Sequence, residues 1–90
     1  MPYIKKDRRV ELIQYDATGM YIRTRDMVSS GELNFAITSL VLDYVNGIPP
    51  LSYAGINEAI GALECAKLEL YRRLASPYED RKIEENGDVY

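Results

Sequence analysis

Histidine and tryptophan are absent from this chain of 90 residues, and cysteine and phenylalanine occur once each. Without histidine, the Cys/His zinc sites and every His-based catalytic triad are excluded. A single cysteine, Cys65, excludes an internal disulfide framework. With no histidine to activate it and Glu64 and Glu69 nearby to oppose a thiolate, Cys65 is expected to be a small buried residue. Long apolar runs are missing too: the longest, Leu40 to Val45, is broken by Asp43, and no apolar stretch follows Lys5, Lys6, Arg8 and Arg9. The chain is therefore expected to be neither exported nor membrane-spanning, and to reside in the cytoplasm. Positive charge is in deficit, with a net charge of −3 and a pI near 4.9. A phosphate-neutralising surface needs the opposite balance, so nucleic-acid binding is not expected, although residues 1–26 carry six basic side chains against four acidic ones.

What is present is 47% hydrophobic, enough for a fold and too apolar for disorder. So short a chain buries only roughly 60–65% of its unfolded surface, which leaves room for one domain, residues 1–90. Val10, Ile13, Ala17, Met20, Thr24 and Met27 alternate in steps of three and four and predict an amphipathic helix over 8–28. Gly19 makes a kink or early stop the alternative there. Ser29, Ser30 and Gly31 break the pattern. Leu33, Ala36, Ile37, Leu40, Val41, Tyr44 and Val45 predict a second helix over 33–46, closed by a left-handed Gly47. Ile48, Pro49, Pro50 and Leu51 read as a stiff linker, and Ser52 as the N-cap of a third helix over 53–75. Ile56, Ala59, Ile60, Leu63, Ala66, Leu70 and Leu74 form its apolar stripe. Gly55 and Gly61 in that helix imply a close backbone approach, either within the fold or across a dimer.

Ser76-Pro77-Tyr78-Glu79 combines an N-cap serine, a first-turn proline and a glutamate three residues on, and predicts a capping box opening a fourth helix over 77–86, which Asn86-Gly87 ends. No segment shows sustained β alternation. The expected fold class is all-α, a small helical bundle of three to four helices completed by oligomerisation, since so small a core has a thin stability margin.

With histidine excluded, the remaining catalytic candidates are carboxylates. Glu84-Glu85-Asn86-Gly87-Asp88-Val89 is similar to one half of the acidic motif of MazG-like nucleotide pyrophosphohydrolases; the resemblance would make Glu64, Glu85 and Asp88 magnesium ligands. The acids of the third helix, Glu58, Glu64 and Glu69, are spaced by six and five and do not share a ridge. The plainer reading is a solvated acidic C-terminus, without metal, cofactor or catalysis.

Tyrosine is the compositional excess, with eight residues. Tyr71, Arg72, Arg73, Tyr78 and Arg81 crowd a helix junction, where two readings compete. In one, Arg72 and Arg73 cap the third helix and pair with Glu79 and Asp80. In the other, the cluster is a contact surface for a subunit, a protein partner or a nucleotide-like ligand.

Gly31-Glu32-Leu33-Asn34-Phe35-Ala36-Ile37-Thr38, Gly61-Ala62-Leu63-Glu64-Cys65 and the run Lys67 to Tyr90 together resemble a family of small uncharacterised bacterial and phage proteins. Its pattern ends YRR-x3-PYED-x-KI-x2-NGDVY. The resemblance implies no activity, but it places Asp88, Val89 and Tyr90 within the family pattern, so the tail is expected to dock on the domain body or on a second subunit. Three functions are compatible: a self-associating, non-enzymatic helical protein with a Tyr/Arg-rich surface; a magnesium-dependent pyrophosphohydrolase; and a phage nucleotide-signal sponge using Arg72, Arg73 and Tyr78.

Overall fold

The computed structural model describes residues 2–47 and 50–90. Ile48 and Pro49 of the expected linker lie outside the described residues. The chain groups into two compact units, Met1–Leu51 and Ser52–Tyr90.

The first unit runs α1 (Lys6–Leu12), β1 (Ile13–Asp16), β2 (Gly19–Ile22), a 3-10 turn (Thr24–Asp26) and α2 (Ser30–Asn46). The helix expected over 8–28 does not form, and the fold is mostly helical rather than purely all-α. Helical spacing in that stretch rested on Ala17 and Thr24, which contribute little apolar surface. The stronger local preference is a hairpin, with Ile13 paired to Ile22 and Tyr15 to Met20 on opposite strands. Its two-residue turn, Ala17-Thr18, is held by Asp16, whose Oδ1 accepts from the Thr18 amide at 2.8 Å, the Thr18 hydroxyl at 2.6 Å and the Gly19 amide at 3.2 Å. Gly19 sits at φ +130°, where a side chain is strained, so the residue read as a helix weakener is what the turn requires.

Leu12, Ile13 and Ala36 form the core of this unit, with Ile4, Met20, Ile22, Met27 and Phe35 packed around them. Leu12 is 0% exposed. Burying such a side chain contributes about 1.5–3 kcal/mol. The Arg23 amide donates to the Leu12 carbonyl at 2.8 Å and ties the end of the hairpin to the end of α1.

A capping box in variant form occurs at Ser29 rather than Ser76, its return bond going to the residue before the cap. The Ser29 hydroxyl accepts from the Glu32 amide at 3.2 Å, and the Glu32 carboxylate turns back to the Val28 amide at 3.3 Å. Glu32 is only 8% exposed and is the buried charge of this unit. Arg8 neutralises it through Nε at 3.1 Å and Nη2 at 3.0 Å, while its Nη1 reaches Glu11 at 2.8 Å and Nη2 also donates to the Asp26 carbonyl. The Arg8 contact holds the Glu32 carboxyl below the usual carboxylate range, and the same contact raises the Arg8 guanidinium. At the other end of α2, Gly47 is right-handed at φ −74°, not the left-handed cap expected, because its amide donates to the Asp43 carbonyl and simply continues the helix.

The second unit is one run of helical backbone: α3 (Tyr53–Leu70), a π turn (Tyr71–Ala75) and α4 (Ser76–Asn86). Ser52 caps it, its hydroxyl accepting from the Gly55 amide at 3.0 Å. No break separates α3 from α4, since Tyr71, Ala75 and Ser76 all keep right-handed helical angles. Ser76 therefore caps nothing, and the capping box and helix corner expected there are replaced by the π turn. The cause is Pro77. A proline inside a helix has no N–H to give and its ring collides with the carbonyl four residues back; letting the Ser76 amide donate five residues back, to Tyr71, widens the turn and accommodates it. Gly87 then closes α4 at φ +88° with its amide on the Ile83 carbonyl at 2.8 Å.

Candidate functional site

The second unit carries the sequence-predicted site residues, and its sidedness follows from the helix. Leu70, Tyr71, Leu74, Ala75 and Tyr78 lie three or four residues apart across the π turn and line a depression of about 750 Å³, bordered by Lys67, Glu79 and Arg81. A second depression of about 420 Å³ shares Tyr78 and Glu79 with it and is lined further along by Ile83 and the tail residues Asp88, Val89 and Tyr90. Large apolar side chains along this face are open: Leu74 is 65% exposed and Val89 94%.

Of the five surface residues picked out from the sequence, Tyr71, Tyr78 and Arg81 share this face. The Tyr71 hydroxyl donates to Glu79 at 2.6 Å. That bond to a carboxylate pushes the Tyr71 phenol above its ordinary range. Arg81 and Lys82 stand over the Tyr78 ring, 5.7 and 5.5 Å from its centroid. Arg72 and Arg73 go elsewhere. Both turn back onto Glu69, at 2.9 and 2.6 Å, and hold its carboxyl below the usual range. The expected pairing of these arginines with Glu79 and Asp80 fails because the backbone never turns a corner: Glu69 is within one helical turn, whereas Glu79 and Asp80 are about two turns along the axis. The arrangement also parts Arg72 and Arg73 from Tyr78, the trio a nucleotide sponge would use.

The proposed metal ligands do not meet either. Glu64 and Glu85 lie 21 residues apart on one helical run, which is roughly 30 Å of axial rise. Among the described residues no group of three or more Cys, Asp or Glu side chains is close enough to hold a metal ion.

Cys65 is exposed, not buried as expected. Burial does not follow from its place beside the apolar stripe, because the stripe itself is open here, with Ile60 58% and Leu70 59% exposed. A Cβ at Gly61 would meet nothing within 4 Å, and one at Gly55 would meet only its own cap hydroxyl, so neither glycine marks a close approach within its own unit. In the tail, the Tyr90 amide donates to Asp88 Oδ1 at 2.9 Å, a local turn, while Val89 and Tyr90 stay in the open.

Sequence reasoning missed Leu70, Leu74 and Ile83 as surface features, because an apolar stripe reads as core until a partner for it is sought. A further feature it missed lies in the first unit, an open depression of about 760 Å³ lined by Arg9, Tyr15 and Phe35. Arg9 stands 5.8 Å from the Phe35 centroid and donates through Nε to the Ile4 carbonyl at 2.9 Å. No helix among the described residues is long and apolar enough to cross a membrane.

Residues 1–89 match the family model for a domain of unknown function (DUF6899), and the chain belongs to that family. No curated protein and no solved structure matches it.

Proposed function

We propose that this protein is a non-enzymatic, cytoplasmic helical module, acting as a single domain, that self-associates and presents the Tyr/Arg face of its second unit, Tyr71, Tyr78 and Arg81 with Arg72 and Arg73 beside it, to a protein partner or small ligand. One observation carries the reading: Leu70, Tyr71, Leu74 and Tyr78 lie side by side on the second unit's helix and are all more than half exposed. A contiguous apolar patch rimmed by charge is the usual mark of an interaction site. Aromatic and arginine side chains are the types most enriched at the centres of such sites. The π turn adds to this, because such turns recur at functional positions and here one brings Glu79 level with Tyr71, whose hydroxyl donates to it.

An exposed free thiol at Cys65 agrees with a reducing compartment. The carboxylates disperse along the helix and give no support to a hydrolase. Native mass spectrometry of the protein purified from the cells that express it tests the reading. The expected result is an oligomer, with or without a retained small molecule. A bare monomer at micromolar concentration, binding nothing, overturns it.

A further inference from the structure

We infer that the depression of the first unit is a docking site for an extended peptide segment of a partner protein, which adds a strand along the free edge of β1 and sets an acidic side chain on Arg9. The site is separate from the face proposed above. An unanswered guanidinium, an unpaired strand edge and an apolar lining meet in it.

Arg8 and Arg9 are neighbours on α1 with opposite fates. Arg8 is engaged by Glu11 and Glu32. Arg9 is half-buried, with its Nε on the Ile4 carbonyl at 2.9 Å and its guanidinium carbon 5.8 Å from the Phe35 centroid. Among the described residues no carboxylate reaches it, and both Nη atoms are left to donate. Ring and carbonyl hold the group still, in the planar fork that fits a carboxylate. No acid lines the depression among the described residues, and Val10, Ile13 and Phe35 make its lining apolar.

The free edge follows from the register. Residues of an antiparallel strand alternate between exchanging hydrogen bonds with the partner strand and turning their backbone away from it. The Arg23 amide donates to the Leu12 carbonyl, so Gln14 and Asp16, two and four residues on, also face β2. Ile13 and Tyr15 therefore face outward. The Ile13 amide is met by the Arg9 carbonyl at the end of α1, whereas the Tyr15 amide and carbonyl have no partner among the described residues. One residue of an added antiparallel strand, laid opposite Tyr15, answers both.

Tyr15 and Arg9 line the same depression of about 760 Å³, within the range that binding sites span. A peptide supplies a main chain for Tyr15 and a side-chain carboxylate for Arg9, while a free carboxylic acid answers Arg9 alone. Nucleic acid is opposed by the net charge of −3 and by a lining with a single cation.

Selection of phage-displayed random heptapeptides on the full-length chain, followed by titration of the selected peptides as synthetic molecules, tests this. They are expected to carry an aspartate or glutamate, and Arg9→Met, which keeps an apolar stem beside Phe35, to weaken them by roughly tenfold or more. Replacing that acid by its amide is expected to weaken binding to the wild type by the same factor and binding to Arg9→Met no further. Selected peptides indifferent to Arg9, or a pool that yields none, overturn the site. A second measurement uses the unaltered chain. With a selected peptide at saturation, the Tyr15 amide is expected to exchange with solvent at least about tenfold more slowly. A peptide that binds through Arg9 while the Tyr15 amide exchanges as fast as in the free chain overturns the strand addition.

Discussion

The two units of this chain treat apolar surface in opposite ways. Residues 2–47 fold a hairpin and two helices around Leu12, and their buried acid, Glu32, is fully met by Arg8 and the Val28 amide. Within residues 52–90, Ala59 is the buried hydrophobic residue, and Leu70, Leu74, Tyr78 and Val89 stand in the open. Both segments have similar apolar content, so composition does not make the difference. Chain reversal does: the Asp16–Gly19 turn folds the first segment back on itself, while the π turn at Pro77 lets the second continue straight through a residue that normally ends a helix. A segment that cannot fold back must find its core elsewhere.

That contrast can be broken most severely at Leu12. Leu12→Ala is expected to cost about 2–5 kcal/mol in urea unfolding, because the side chain is fully enclosed. A loss under 1 kcal/mol, by the same principle, would mean the first unit has no real core. At the other unit, Pro77→Ala is expected to stabilise the helix by about 1–3 kcal/mol while letting the π turn relax to α pitch. Glu79 would then rotate away from Tyr71, and the Tyr71–Glu79 bond would be lost, visible as a fall in the Tyr71 phenol titration toward its ordinary range.

Smaller effects separate the two serines. Ser29→Ala removes a working cap and is expected to cost about 0.5–2 kcal/mol. Ser76→Ala, in a helix interior, is expected to stay within about 0.5 kcal/mol of wild type. Equal losses at both would restore the helix corner that the π turn replaces.

The smallest expected effect is on acid stability. Glu32 has a lowered folded-state pKa, so the unfolded chain takes up its proton first as pH falls. Its contribution is complete above the ordinary carboxylate range and disappears as pH drops through the depressed value. Glu32→Gln is therefore expected to flatten the acid side of the melting-temperature curve, and an unchanged slope would remove the Arg8 pair from the account.

Much of the helical content was legible from periodicity. Leu33 to Val45 lies within α2, and Ile56 to Leu74 follows α3 into the π turn. Ser52 and Asn86-Gly87 were legible because their capping chemistry is local. The hairpin was obscured because Val10, Ile13, Met20 and Met27 fit helical spacing by coincidence, although Asp16-Ala17-Thr18-Gly19 carried the turn. Ser29-Ser30-Gly31-Glu32 had the same capping-box spacing as Ser76 to Glu79, yet only the first is a box. What decides between them is whether the preceding residues can leave the helix: Val28 and Ser29 do, whereas Ala75 is held by the turns before it. At the surface, residue types grouped Tyr71, Arg72, Arg73, Tyr78 and Arg81 together, but only the helical phase shows that Arg72 and Arg73 answer to Glu69.

The central claim is that the open face of the second unit is a subunit contact. Sedimentation equilibrium of the wild-type chain beside Leu74→Glu, with helicity checked by circular dichroism, tests it most directly. The account predicts a dimer for the wild type at micromolar concentration and a folded monomer for Leu74→Glu. A wild type that sediments as a monomer, or a Leu74→Glu chain that dimerises as tightly as the wild type, contradicts it.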